Sequence, residues 1–313
     1  MAAQEELRFD GQVAIVTGAG GGLGRSYAKL LAARGAKVLV NDLGTTIDGR
    51  PGGGPGPEQV VEEIASSGGV AIGDGHDVAS QGEEIVGAAL DAWGRVDIVV
   101  AGAGMAQVGP IATAPMEAWR KSIEVGLFGT VGVVHHAWPS LARNAGRVVT
   151  VSSSSICGQA GVGPYAASKA AIVGLTRGLA LEGKADGIRV NAVMPIAYSR
   201  MTSGVPDKAF VEMMRTEFQP ERVASFVGYL AHESVQVSGE TFTVGGGRAA
   251  RVFLGIAPGW GSGDVPAEGF GDHIGDVVAV DGYRVISSSG EEMRWMAERL
   301  GLEVEHMPYM QQP

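Results

Sequence analysis

Short runs of valine and isoleucine, apolar throughout, alternate along the chain with longer segments whose apolar residues recur every third or fourth position. The runs Val13–Val16, Lys37–Asn41, Val70–Ile72, Val96–Val100, Arg147–Val151, Ile188–Val193 and Thr241–Val244 have the length and β-branched content of strands. Leu23–Arg34, Gln81–Trp93, Met116–Arg143 and Ala166–Glu182 carry the i, i+3, i+4 spacing of helices with one buried face. Strands without polar alternation are buried on both sides, which implies a parallel sheet covered by helices. Repeated strand–helix–strand order then predicts right-handed crossovers and an α/β, doubly wound, Rossmann-like parallel sheet. Residues 9–247 read as one such domain, preceded by a tail, 1–8.

Two regions break the rhythm. Gly44–Pro57 (GTTIDGRPGGGPGP) is too rich in glycine and proline for a helix or an interior strand, so it reads as a long inserted loop. Residues 248–313 form a C-terminal extension, with a loop Gly255–Gly275, a strand Val277–Val280 and a helix Glu291–Leu300. The extension is expected to pack on the main domain or on a neighbouring subunit.

Composition narrows the class. With 24 Lys and Arg against 34 Asp and Glu, the net charge of −10 argues against nucleic-acid or membrane-surface partners. Cys157 is the single cysteine, so no intrachain disulfide forms, and a reducing, cytoplasmic setting is expected. The first residues lack the charge and apolar run of a secretory signal, and no stretch has the length of a membrane helix. The six histidines show no paired ligand spacing, so no metal site is expected; His135 and His136 read as structural.

Chemistry enters at Thr17-Gly18-Ala19-Gly20-Gly21-Gly22-Leu23-Gly24, which closes the first strand and opens the first helix. A pyrophosphate needs backbone N–H groups with no Cβ in the way and the positive end of a helix dipole. Gly18, Gly22, Leu23 and Gly24 are therefore cofactor-binding candidates. Asp42 ends the second strand, where a carboxylate accepts from both adenosine ribose hydroxyls and repels a 2′-phosphate, favouring NAD over NADP. Tyr165 and Lys169 stand four apart, so both project from one helix face. An ammonium near a phenol lowers the phenol pKa, making a general base usable near neutral pH.

The order Thr17-Gly18-x3-Gly22-x-Gly24, the serine run Ser152–Ser155 and Tyr165-x3-Lys169 resembles the short-chain dehydrogenase/reductase family over about residues 9–247. That resemblance implies catalytic roles for Ser152, Tyr165 and Lys169. Ser152 lies thirteen residues before Tyr165, the family's spacing, with Ser153 as the nearby alternative. It also implies cofactor contacts from Asp77 and Val78, from Ala101 and Gly102, from Tyr165 and Lys169, and from the Ile196 amide to the nicotinamide carboxamide. Ser199 or Thr202 would add a hydroxyl. One departure stands out: the family's relay asparagine, in a Val-Asn-x-x-Gly setting, is replaced by Gly126 in Val125-Gly126-Leu127-Phe128-Gly129.

Asn41-Asp42-Leu43-Gly44 with its glycine-rich insertion, Ser199-Arg200-Met201-Thr202 and Gly245–Gly255 resemble, more narrowly, dehydrogenase domains of multifunctional β-oxidation enzymes and bacterial hydroxysteroid and hydroxyacyl-CoA dehydrogenases. The resemblance implies NAD as cofactor, a homodimer or homotetramer, and a bulky alcohol substrate of hydroxysteroid or (3R)-3-hydroxyacyl-CoA type. Met194, Met201, Met213 and Met214 fit either an adaptable apolar wall or ordinary core and helix positions. Arg200, Lys208, Arg215 and Arg222 would meet CoA phosphates or, among acidic neighbours, form a solvated mixed face. The alternative to an active dehydrogenase is a catalytically weakened NAD-binding or sensor protein, because Gly126 offers no relay side chain.

Overall fold

Val13–Thr17 (β1) is buried at every position, and its side chains alternate between two apolar layers. Ala14 and Val16 join one core cluster while Val13 and Ile15 join another, as a strand's two-residue period requires. The computed structural model describes residues 6–46, 50, 52–199, 205–261 and 263–302. Along the chain follow α1 (Gly22–Ala33), β2 (Lys37–Asn41), α2 (Pro57–Ser66), β3 (Val70–Asp74), α3 (Gly82–Trp93), β4 (Ile98–Ala101) and α4 (Met116–Ile123). Next come α5 (Gly129–Arg143), β5 (Arg147–Val151), α6 (Gly163–Glu182), β6 (Arg189–Pro195), α7 (Lys208–Glu217), α8 (Pro220–Ala231) and β7 (Thr241–Gly245).

The sheet order is β3-β2-β1-β4-β5-β6-β7, and every one of these pairs is parallel. An eighth strand, β8 (Arg248–Val252), carries the sheet past residue 247 after the two-residue turn Gly246-Gly247. Helices α1, α2 and α8 cover one face, with Tyr27, Leu31, Ile64, Val227 and Leu230 in its core. Helices α3 and α5 supply Ile85, Val86, Val133 and Leu141 to the other. The chain reverses its winding between β1 and β4, and in open α/β sheets it is at such a point, beyond the carboxyl ends of the strands, that ligands bind.

The predicted helix 116–143 is broken. Between α4 and α5 the chain makes a π turn, Glu124–Phe128, in which the Gly129 N–H reaches back five residues to the Glu124 carbonyl. Gly126 is buried inside it.

The chain divides into two compact units, residues 1–251 and 252–313. The second holds a two-stranded antiparallel ribbon, β9 (Gly255–Ile256) with β10 (Arg284–Val285), and the helices α9 (Ala267–Asp272), α10 (Ile274–Val277) and α11 (Ser289–Arg299). The expected strand Val277–Val280 does not form. Ile274–Val277 is a helical turn instead, begun by backbone bonds to His273, and residues 278–280 find no strand partner. Helix α11 begins as its sequence directs, with the Ser288 hydroxyl accepting from the Glu291 N–H.

Candidate functional site

The turn between β1 and α1 is built by close backbone contact. Gly18 has φ +67°, and a Cβ there would stand 2.8 Å from the Ala103 Cα; a Cβ on Gly24 would overlap the Gly18 carbonyl. Around Gly22 nothing lies within 4 Å of that position, so the helix N-terminus opens onto free space. Such a cradle suits a pyrophosphate: N–H groups at the positive end of α1, with open space beside Gly22. Thr17 ties the turn to the end of β4, its Oγ1 accepting from the Ala103 N–H at 3.2 Å. Ala101 is buried, and a Cβ on Gly102 would stand 2.8 Å from the Thr17 carbonyl, so that position admits no side chain.

Asp42 follows β2 and faces this turn. Its carboxylate accepts from the Gly20 N–H at 2.9 Å and from the Gly44 N–H at 2.8 Å. Asp77 spends its side chain locally, accepting from the Ala79 N–H at 2.9 Å, and Val78 is buried against α5 at Gly129. Both lie beyond the end of β3.

Helix α6 opens with Gly163-Pro164, a proline at the first turn where its missing N–H costs nothing. It presents Tyr165 and Lys169 on one face, with the Lys169 Nζ 5.8 Å from the Tyr165 ring centre. Lys169 is buried and its ammonium donates to the Val151 carbonyl at 2.8 Å; burial pulls its pKa down to about 8. The expected lowering of the Tyr165 pKa by Lys169 is not found. Burial raises the phenol, and a hydrogen bond with Ser153 opposes that rise.

This geometry corrects the choice of serine. Ser152 is buried, and its hydroxyl donates to the Lys169 carbonyl at 2.7 Å, away from the phenol. Ser153 is the serine that meets Tyr165. Successive residues at a strand end point to opposite faces, so a choice between neighbours is a choice of face. The Ser153 Oγ also accepts from the Ser155 N–H at 3.2 Å, which caps the 3₁₀ turn Ser154–Cys157 and holds the hydroxyl in place.

The nicotinamide end needs a second correction. The Ile196 N–H is committed to the Val244 carbonyl at 2.8 Å as an extension of the β6–β7 ladder, so it is not free for a carboxamide. The Tyr198 N–H donates to the Phe218 carbonyl at 2.7 Å. Ala197, between them and buried, is the amide of the three with no partner among the described residues, a position the sequence reading missed. Strand alternation of the committed amides was the signal that would have found it.

Gly126 leaves room that is filled from α6. A Cβ there would overlap the Ser168 Oγ, and that hydroxyl is buried without a hydrogen-bond partner among the described residues. The Gly126 carbonyl accepts from Thr130 at 3.0 Å. Ser199 is half-buried; Arg200, Met201 and Thr202 lie outside the described residues. Met194 and Met214 are core residues, whereas Met213 is exposed. Arg215 pairs with Glu212 at 2.7 Å and Arg222 with Glu217 at 3.4 Å, as a solvated mixed face would have them. Among the described residues no group of three His, Cys, Asp or Glu is placed to hold a metal ion.

The profile described as short chain dehydrogenase matches residues 12–207. A mouse protein, peroxisomal multifunctional enzyme type 2, is 42% identical over 243 residues, covering 77% of this chain and 32% of its own length. The chain therefore spans about a third of that relative. The full-length peroxisomal multifunctional enzyme type 2 of Drosophila melanogaster superposes with TM-score 0.79 at 28% identity, covering 94% of this chain and 50% of that one. A 7α-hydroxysteroid dehydrogenase complexed with NADH and 7-oxo glycochenodeoxycholic acid superposes with TM-score 0.68 at 29% identity, covering 79% of this chain and 98% of that one.

Proposed function

From the premise that the chain belongs to the short-chain dehydrogenase family, we propose that it is an NAD-dependent oxidoreductase that interconverts a secondary alcohol and a ketone. The observation that carries the reading is the constellation of Ser153, Tyr165 and Lys169 at the end of β5, beside a glycine cradle that a dinucleotide fits. When bound, the nicotinamide would supply the hydride acceptor. Tyr165 takes the hydroxyl proton, Ser153 steadies the substrate oxygen, and Lys169 carries positive charge to the phenolate side of the site. Asp42 is assigned to the adenosine ribose, and a carboxylate there favours NAD. The Ala197 amide, rather than that of Ile196, is assigned to the carboxamide.

We assign a bulky substrate, a (3R)-3-hydroxyacyl-CoA or a hydroxysteroid. Support comes from the multifunctional enzymes among the relatives and from the neighbour bound to a bile-acid derivative. Cytoplasmic location and a homodimer or homotetramer belong to the same proposal; the named relatives are peroxisomal, and among the described residues no helix is long and apolar enough to cross a membrane. The test is NADH production from a hydroxysteroid panel and (3R)-3-hydroxyacyl-CoAs, side by side. Activity confined to small sugars or polyols would sink the bulky-substrate assignment. Tyr165→Phe should lose most of kcat while calorimetry still shows NAD binding, and retained turnover in that variant would overturn the role of Tyr165.

A second reading, a dinucleotide-binding protein with weak turnover, rests on Gly126, whose side-chain space is filled by Ser168. It predicts calorimetric NAD binding with no NADH formed from any alcohol of the panel.

A further inference from the structure

The insertion after β2 is not a bystander to the glycine turn. Its neck closes where the Gly54 N–H donates to the Gly44 carbonyl at 3.0 Å. The chain then runs through Pro55 directly over the β1–α1 turn: a Cβ on Gly20 would overlap the Pro55 carbonyl, and one on Gly21 would stand 3.0 Å from the proline ring. Asp42 fastens the two together by accepting from Gly20 on the turn and Gly44 on the neck. The wall beside the Asp42 carboxylate is thus a second oxygen acceptor, the Pro55 carbonyl. The cations of α1 nearest the turn are already taken, Arg25 at 2.5 Å and Lys29 at 2.8 Å from the same Glu63 oxygen of α2.

We propose that the neck of this insertion, through Pro55, is a specificity determinant that excludes a 2′-phosphorylated dinucleotide independently of Asp42. The inference rests on the dinucleotide-binding reading above. A 2′-phosphate needs donors or a cation and space beside the adenosine ribose. Here it meets two acceptors and a backbone segment that is pinned at both ends. Gly20 is the residue that admits this segment, since any side chain there would push Pro55 and Asp42 outward.

The experiment is calorimetric titration of NAD and NADP, a readout that needs no turnover. It compares the full chain, Asp42→Ala, a deletion of residues 45–55 that joins Gly44 to Gly56, and the two changes combined. The junction is mild because Gly44 already lies against Gly56: the Cβ direction of the first reaches the second's Cα at 3.7 Å. Asp42→Ala should weaken NAD about tenfold yet leave NAD preferred by at least about tenfold, since one set of hydrogen bonds is lost while the wall stays. The deletion should strengthen NADP relative to NAD, and the combination should bring the two within a few-fold. Gly20→Ala in the Asp42→Ala background, with the insertion intact, should narrow the preference further than Asp42→Ala alone, and it tests the proposal even if the deletion does not fold. Equal affinities in Asp42→Ala alone would overturn the proposal. So would a preference unchanged by both the deletion and the added Gly20→Ala, or weaker NADP binding after deletion, which would mean the insertion attracts the phosphate. Binding of neither nucleotide by the full chain would overturn the reading beneath it.

Discussion

At the residue scale, the site turns on two adjacent serines. Ser153→Ala should lower kcat by about two to three orders of magnitude, as for other groups that stabilise a reacting oxygen. Ser152→Ala should leave kcat much less affected and cost stability of about 1 kcal/mol, because its hydrogen bond to the Lys169 carbonyl is structural. Steady-state kinetics and denaturant melts of the two variants separate these outcomes, and a larger kinetic loss from Ser152→Ala would reverse the assignment. Lys169 offers a second check. Its pKa is depressed by burial to about 8, so between there and its ordinary value the unfolded chain holds a proton that the folded chain has released. The penalty for burying the charged lysine is complete below the lower value and fades as pH rises through the window. Unliganded protein should therefore gain stability as the pH is raised across that range, and Lys169→Met should abolish the gain while stabilising the protein at neutral pH by up to about 3 kcal/mol. A flat difference between the two proteins across this window would show that the lysine is solvated.

At the element scale, the π turn between α4 and α5 and the start of α6 form a matched pair. Gly126 carries no side chain because Ser168, on the helix that bears Tyr165 and Lys169, already fills the space. Gly126→Asn alone should cost about 1–3 kcal/mol by overpacking and should lower turnover. With Ser168→Ala the nearest remaining atom is the residue's Cβ, 3.4 Å away, so the double variant should recover most of the stability. Additive losses in melts of the two single variants and the double would show that the residues do not share this space. The Met116–Arg143 pattern reads as one helix because the single residue that a π turn inserts slips the apolar stripe by only one position.

At the scale of the whole molecule, every cofactor and catalytic residue assigned above lies within residues 1–251, and the C-terminal unit holds none of them. NAD affinity should therefore survive replacement of exposed apolar residues in the second unit, such as Phe270, Ile274 or Met296. Calorimetry on the full-length variants checks this, and a tenfold loss of NAD affinity would place part of the cofactor site in the extension. On α5 and α6, a groove lined by His135, His136, Trp138, Leu175 and Leu179 lies on the outer face. If these helices form a subunit interface, charge introduced at Leu175 should shift the protein to a smaller species in light scattering.

The sequence by itself determined the parallel sheet, its alternation with helices, the glycine cradle, Asp42 at the end of β2, and Tyr165 beside Lys169. Each is local: apolar runs mark doubly covered strands, a glycine turn after a strand marks a phosphate cradle with its acidic partner one strand on, and a spacing of four places side chains on one helix face. The tertiary structure decided the rest. Whether Ser152 or Ser153 faces the phenol depends on how β5 meets α6, and whether the Ile196 amide is free depends on a strand more than forty residues away. Pro55 over Gly20 and Ser168 in the space of Gly126 are contacts between segments distant in sequence. Such contacts leave no periodic trace, because only packing in three dimensions brings one segment's atoms into the space another leaves empty.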